Sequence, residues 1–207
     1  MELVSIFGLS FTIALTGALA PGPLLTLAIA ESFKYGRKAG PIIIGGHALL
    51  EIIMVCILVI GLGKILNNQV VIKYISLAGA LILIYFGINI LRSLSKVSLN
   101  VSMKNSNSYI ILFFQGITMS IANPYWTVWW LTVGLGLLLS VRNIGIKGLI
   151  YFFMGHILAD LVWYSFVSYS IEKSKKIISQ KVYIKILNIC GIILILFGLY
   201  FGITSLI

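Results

Sequence analysis

The chain has 207 residues, of which 60% are apolar and 10% charged, with a mean hydropathy of +1.10 and a formal net charge of +10. Soluble domains carry about 25% charged residues, so a soluble fold is excluded, and no hydrophilic segment is long enough for a second, soluble domain. The positive charge does not point to nucleic acid, because Lys and Arg sit almost entirely in short loops between apolar runs, the pattern of membrane topology signals.

A bilayer core takes about 20 apolar residues per helix, and the chain supplies six such runs. They extend roughly from Leu3 to Ala30, Pro41 to Gly63, Val70 to Leu91, Tyr109 to Leu139, Gly148 to Ile171 and Ile184 to Ile207. In the first, Ala18-Leu19-Ala20 resembles a signal-peptide cleavage site. Glu2 stands where a basic segment would be, however, Pro21 would follow the cut, and the apolar run continues, so a retained helix is expected.

The first and fourth runs are longer than a span needs and contain prolines. A proline lacks the backbone N–H and clashes with the carbonyl four residues back. Pro21-Gly22-Pro23 is therefore expected to free the carbonyls of Gly17 and Leu19, with Gly22 as a joint. Pro124, after Asn123, is expected to free that of Ser120. Broken backbone at membrane depth survives only where protein or a water-filled cavity covers it. A half-helix starting after Pro23 would aim its N–H groups and partial positive charge into that cavity, which suits a carboxylate. Asn123 would add a side-chain donor and acceptor there. The plainer alternative is a kink for packing, which fits Pro124 better than it fits Pro-Gly-Pro.

Basic residues follow the runs unevenly. Lys34, Arg37 and Lys38, then Arg92, Lys96 and Lys104, then Lys173, Lys175, Lys176, Lys181 and Lys185 fall on one side. Lys64, Lys73, Arg142 and Lys147 fall on the other. Positive-inside logic places the larger set in the cytoplasm and both termini outside.

Gly46-His47-Ala48-Leu49-Leu50-Glu51 in the second run and Gly155-His156-Ile157-Leu158-Ala159-Asp160 in the fifth read almost alike and hold the only two histidines. Gly36 and Lys38 return as Gly145 and Lys147 at the same offset of 109, and Phe86-Gly87 returns as Phe197-Gly198 at an offset of 111. Convergence of two amphipathic helices is the plainer alternative, but a matched His and acid at equal spacing point to a duplication, with repeat one at about 1–95 and repeat two at about 105–207 in a single domain. Each half holds three spans, so the halves cross the membrane in opposite senses, with a site expected near the midplane between them. Ionisable groups there are costly and mark function by default.

His47 and Glu51, and likewise His156 and Asp160, are four residues apart and share a helix face. Each His bonding its own acid would only lock packing. A shared polar centre would instead bind substrate or exchange a proton for cargo, since imidazole titrates near neutral pH. The four residues also make a divalent-cation ligand set if they converge. Tyr125, Trp126, Trp129 and Trp130 form either an interfacial belt or a cavity wall. Trp163 and Tyr164 follow Asp160 and can pack or meet a substrate ammonium. Gly198 and Gly202 permit close helix approach, within the chain or in a homodimer. Cys56 and Cys190 lie in apolar runs and give no redox motif.

The Pro21-Gly22-Pro23 break in helix one with the Asn123-Pro124 break in helix four resembles the LysE family of amino-acid exporters, as does the spacing of Gly36 and Gly40 after the first break. The resemblance covers the whole chain. It implies export of amino acids, often basic or small polar ones, driven by an ion gradient, with Pro21, Gly22, Pro23, Asn123 and Pro124 shaping the translocation site. The family's usual Asn-Pro-Lys is here Asn123-Pro124-Tyr125, and the His–acid pairs are not typical of the best-known members, which marks a divergent branch. Related branches are similar to metal-ion exporters.

The expected protein is an all-α integral membrane protein of six transmembrane helices in two inverted three-helix repeats, with helices one and four broken by proline. It is a multi-pass transporter of the cytoplasmic membrane rather than an enzyme, and it exports an amino acid or similar small solute by proton coupling. The alternative cargo is a divalent metal cation on His47, Glu51, His156 and Asp160. A membrane-embedded metal enzyme on the same residues and a non-transporting scaffold are more remote. No cofactor is expected.

Overall fold

The computed structural model describes residues 3–20, 22–61, 69–94, 106–175, 177 and 179–206. Pro21 and the topology signals Lys64, Lys96, Lys104 and Lys176 lie outside them. All the regular structure described is helical. In order it comprises α1 (Leu3–Leu19), α2 (Pro23–Tyr35), α3 (Ala39–Val59), α4 (Gln69–Ser93), α5 (Ser106–Ile121), α6 (Pro124–Trp129), α7 (Leu135–Val141), α8 (Ile146–Ser174) and α9 (Gln180–Thr204). Among the described residues four stretches are long and apolar enough to cross a membrane: Pro23–Val59, Pro124–Val141, Ile146–Ser174 and Gln180–Thr204. Leu3–Leu19, Ser76–Arg92 and Tyr109–Ile121 are shorter apolar helices.

Both proline breaks are real, but their backbone is closed differently from the sequence expectation. The Gly17 carbonyl is not left free, because the Ala20 N–H donates to it at 3.1 Å. The Ser120 carbonyl likewise accepts the Asn123 N–H at 3.2 Å. Each helix tightens into a final three-residue turn that reuses the carbonyl the proline abandons. The chain then restarts with proline in the first helical position, where no N–H is needed. Pro23 opens α2 after an extended Gly22, and Pro124 opens α6 after Asn123, whose Oδ1 accepts the Tyr125 N–H at 3.2 Å.

Sequence gave no warning of a second irregularity. Residues Trp130–Gly134 form a π-helical turn between α6 and α7. A side chain at Gly134 would collide with the Trp130 ring.

Gly36, which ends α2, has φ 63° and ψ −150°, and Gly145, which precedes α8, has φ 73° and ψ −156°. Only glycine holds this backbone cheaply. A Cβ on Gly145 would meet nothing within 4 Å, so the cost of substitution there is purely conformational. Gly145→Ala is expected to destabilise the protein by roughly 1–3 kcal/mol, read as a lowered Tm in detergent. A Tm equal to that of the parent protein would refute this account of the turn.

Many large apolar side chains point outward: Val4 is 74% exposed, Leu81 72% and Ile146 69%. Others, such as Leu27, Phe33, Ile43, Leu112 and Leu194, are buried in the core, and at the closest helix contacts small residues let backbones approach. Gly46 of α3 lies against the Phe113 carbonyl of α5, and Gly155 of α8 lies against the Phe7 carbonyl of α1. Gly116 faces the Ile43 carbonyl, while Ser10 Oγ donates to the Phe152 carbonyl at 2.7 Å. Between α4 and α9, Gly87 meets the Gly191 carbonyl and Gly198 meets the Ala80 carbonyl. Gly198 and Gly202 thus pack inside the chain. An outward-facing apolar surface around closely packed small residues is what a lipid solvent selects, and the chain is a membrane protein.

Candidate functional site

The close approaches at Gly46 and Gly155 set the register of the residues that follow them. One residue on, His47 and His156 turn into the same space, and one turn further Glu51 and Asp160 join them. The four residues do converge. His47 Nε2 lies 3.1 Å from Glu51 Oε1 and 3.7 Å from Asp160 Oδ2. His156 Nε2 lies 3.2 Å from the same Glu51 oxygen and 3.7 Å from the same Asp160 oxygen. Glu51 Oε1 is thus within hydrogen-bond reach of both imidazoles, while Asp160 Oδ2 makes only a longer ion-pair contact with each, so the contacts cross between the two halves, which the bland reading of two separate pairs lacks. All four are buried, Glu51 at 1% exposure.

Two indoles complete the shell around Glu51. Trp126 Nε1 donates to Oε1 at 3.2 Å and Trp130 Nε1 at 2.9 Å. The aromatic cluster is therefore a wall of the site. The Trp129 and Trp130 rings also pack at 5.0 and 5.1 Å from the His156 ring. Sequence reasoning left these donors unassigned, although Trp126 and Trp130 are four apart and so share a helix face.

A hydroxyl that sequence reasoning missed lies against His47. Ser120 Oγ is 2.7 Å from the Gly116 carbonyl and 2.7 Å from His47 Nδ1. With its single proton on the carbonyl, Nδ1 is the donor to Oγ. A neutral His47 then carries its lone pair on Nε2, aimed at a carboxylate oxygen. Two acceptors 3.1 Å apart repel unless a cation stands between them, and a proton is the smallest that serves.

Not every polar atom of the centre is satisfied. Glu51 Oε2, His156 Nδ1 and Asp160 Oδ2 are buried without a hydrogen-bond partner. Such groups are uncommon and call for an explanation, an unseen ion among them.

Beside the centre is a cavity of about 390 Å³. Gly22, Pro23, Leu24 and Leu25 line it from the first break and Asn123 from the second, with His47, Glu51, His156 and Asp160 along one wall. The remainder is apolar or aromatic, including Ala14, Ala18, Tyr164 and Phe197. Pro124 borders a different cavity, of about 510 Å³. Tyr125 borders both, and its hydroxyl pairs with that of Tyr200 at 3.2 Å. Trp163 is not part of the wall, and its Nε1 is buried without a partner.

The family model for "LysE type translocator" matches residues 15–205. The chain belongs to the LysE type translocator family. Among curated relatives, the "Uncharacterized membrane protein YrhP" of Bacillus subtilis (strain 168) is 29% identical over 205 residues, covering 93% of this chain and 96% of the relative. The "Putative amino acid efflux protein YcgF" of the same organism is 24% identical over 182 residues, covering 87% of each. No solved structure gives a significant match. As a LysE-type translocator the chain is a transporter with a small-molecule substrate, working in a lipid bilayer.

Proposed function

We propose that this LysE-type translocator exports an amino acid across the cytoplasmic membrane in exchange for protons. The observation that carries the reading is the shared His47–Glu51–His156–Asp160 centre at the wall of a cavity between two broken helices. Cavities of a few hundred Å³ suit small ligands.

The six apolar runs are read as six spans in two inverted repeats with both termini outside. Matched contacts support the repeat, and the distribution of Lys and Arg supports the orientation. The offset of 109 that relates Gly46 to Gly155 also relates Ile43 to Phe152, and their partners Phe113 and Gly116 stand 106 residues beyond Phe7 and Ser10. The Gly87–Gly191 and Ala80–Gly198 contacts exchange under an offset of 111. Gly36 and Gly145 share one unusual backbone conformation.

In this reading the substrate carboxylate meets the N–H groups of Leu24 and Leu25 in the first turn of α2, where Gly22 makes no side-chain capping bond. The ammonium meets Asp160, whose Oδ2 has no hydrogen-bond donor. Glu51 Oε1 is already enclosed by two indoles and two imidazoles. No further acid lines the cavity to pair with a charged side chain, so the preferred solute is an amino acid with an uncharged side chain.

Counterflow in proteoliposomes tests this. Leucine-sized neutral amino acids should outcompete lysine at least about tenfold. Asp160→Asn should raise the apparent KM for them by about 100-fold, the scale for removing one partner of a buried charge pair. A preference for lysine, or an unchanged KM in Asp160→Asn, would contradict the placement.

A further inference from the structure

We infer that the His47–Glu51–His156–Asp160 centre is also a four-coordinate site for one zinc-type divalent cation, which takes the place of the coupling proton. The site stands on geometry alone. Its effect on flux rests on the proton-coupled reading given above.

The first argument is metric. Zinc bonds imidazole nitrogen and carboxylate oxygen at about 2.0–2.2 Å, so neighbouring ligands of a tetrahedral ion lie roughly 3.3–3.6 Å apart. The four His-to-acid separations are 3.1, 3.2, 3.7 and 3.7 Å, which bracket that edge. His47, Glu51 and Asp160 each present a ligand atom within 4.8 Å of the others. His156 Nε2 faces the same two oxygens but stands outside that group of three, so it completes the fourth position by closing toward His47 when the ion binds.

The second argument is the tautomer. A zinc-bound imidazole needs its lone pair on the ligating nitrogen and its N–H given to an outer acceptor. His47 can take that form, because Ser120 Oγ, 2.7 Å from Nδ1, can place its own proton on the Gly116 carbonyl and accept Nδ1–H. The indole N–H groups of Trp126 and Trp130 play the matching outer role for Glu51.

The third argument is the want of partners. Asp160 Oδ2, the oxygen that both imidazoles face, is buried with no hydrogen-bond donor. A divalent ion among the four supplies the charge that two facing carboxylates lack. The donor set of two nitrogens and two oxygens selects zinc or a similar borderline ion over Mg²⁺, which demands six oxygens.

The full-length protein, purified in detergent and stripped with a chelator, is titrated with Zn²⁺ and, separately, Mg²⁺ by calorimetry. One Zn²⁺ per chain and no Mg²⁺ binding are expected. His156→Gln should weaken Zn²⁺ binding more than about 100-fold, and the positioning change Ser120→Ala about 10- to 100-fold. Zinc-edge absorption on the unmodified protein provides a readout independent of variant folding, and should give four light ligands with two imidazoles. Absence of Zn²⁺ binding, or a first shell without imidazole, overturns the site. Amino-acid flux in proteoliposomes is read alongside. Arrest by stoichiometric Zn²⁺ supports competition at the shared centre, where Asp160 serves both the ion and the substrate ammonium, and undiminished flux with Zn²⁺ bound overturns it. Zn²⁺ binding in a protein that moves no amino acid leaves the site intact and removes the transport reading instead.

Discussion

Glu51→Gln should reduce proton-driven amino-acid flux by at least about 100-fold while leaving a protein that inserts and purifies. The carbonyl of a glutamine can still accept from Trp126 and Trp130, so the wall of the cavity keeps its shape. What disappears is the anion that both imidazoles face at 3.1 and 3.2 Å. Breaking a buried charge set by removing one partner costs about 3–5 kcal/mol, which exceeds a 100-fold effect. With Glu51 neutral, only the more distant Asp160, 3.7 Å from each Nε2, is left to draw a proton into the centre. Passive counterflow of the amino acid should survive better than proton-driven flux, because the carboxylate and ammonium sites proposed at α2 and Asp160 are untouched. Equal loss of both would assign Glu51 to cargo binding.

Gly46→Ala and Gly155→Ala should each destabilise the fold by about 1–3 kcal/mol or more, and should lower flux further than stability alone explains. A methyl group at Gly46 would fall inside van der Waals contact of the Phe113 carbonyl, and one at Gly155 inside that of the Phe7 carbonyl. The obstacle in both cases is backbone, which cannot rotate away. The only relief is to push α3 from α5 or α8 from α1, and this displaces His47 or His156 on the adjacent residue. Detergent Tm and flux, measured together, check this. A normal Tm with normal flux in either variant would show that these helix approaches are looser than described. Gly8→Ala is a suitable control, since a Cβ there meets nothing within 4 Å.

The parts of this molecule legible in the sequence were those fixed by rare residues. His47, Glu51, His156 and Asp160 stand out because ionisable groups are costly in apolar runs. The two breaks stand out because proline cannot sit inside a helix without losing a hydrogen bond. The Gly36 and Gly145 turns were visible as a repeat, and their positive φ gives the physical reason. What could not be read was anything fixed by the crossing of distant helices. That both histidines face a single oxygen of Glu51 depends on how α3 and α8 approach, and that is set by carbonyls of α5 and α1 more than 60 residues away along the chain in each case. The roles of Ser120, Trp126 and Trp130 were hidden for the same reason, because serine and tryptophan in apolar helices have ordinary uses. The error over the Gly17 and Ser120 carbonyls was local. Proline does remove the usual donor, but a tighter turn supplied another.

The central claim is that one centre couples the amino acid to protons, and the direct measurement is proton movement itself. Proteoliposomes loaded with a pH-sensitive dye, with no pH gradient imposed, would be given an outward gradient of leucine. The account predicts a change in lumenal pH that follows leucine efflux, is absent with lysine, and is lost in Glu51→Gln. Leucine efflux with no change in lumenal pH would contradict it.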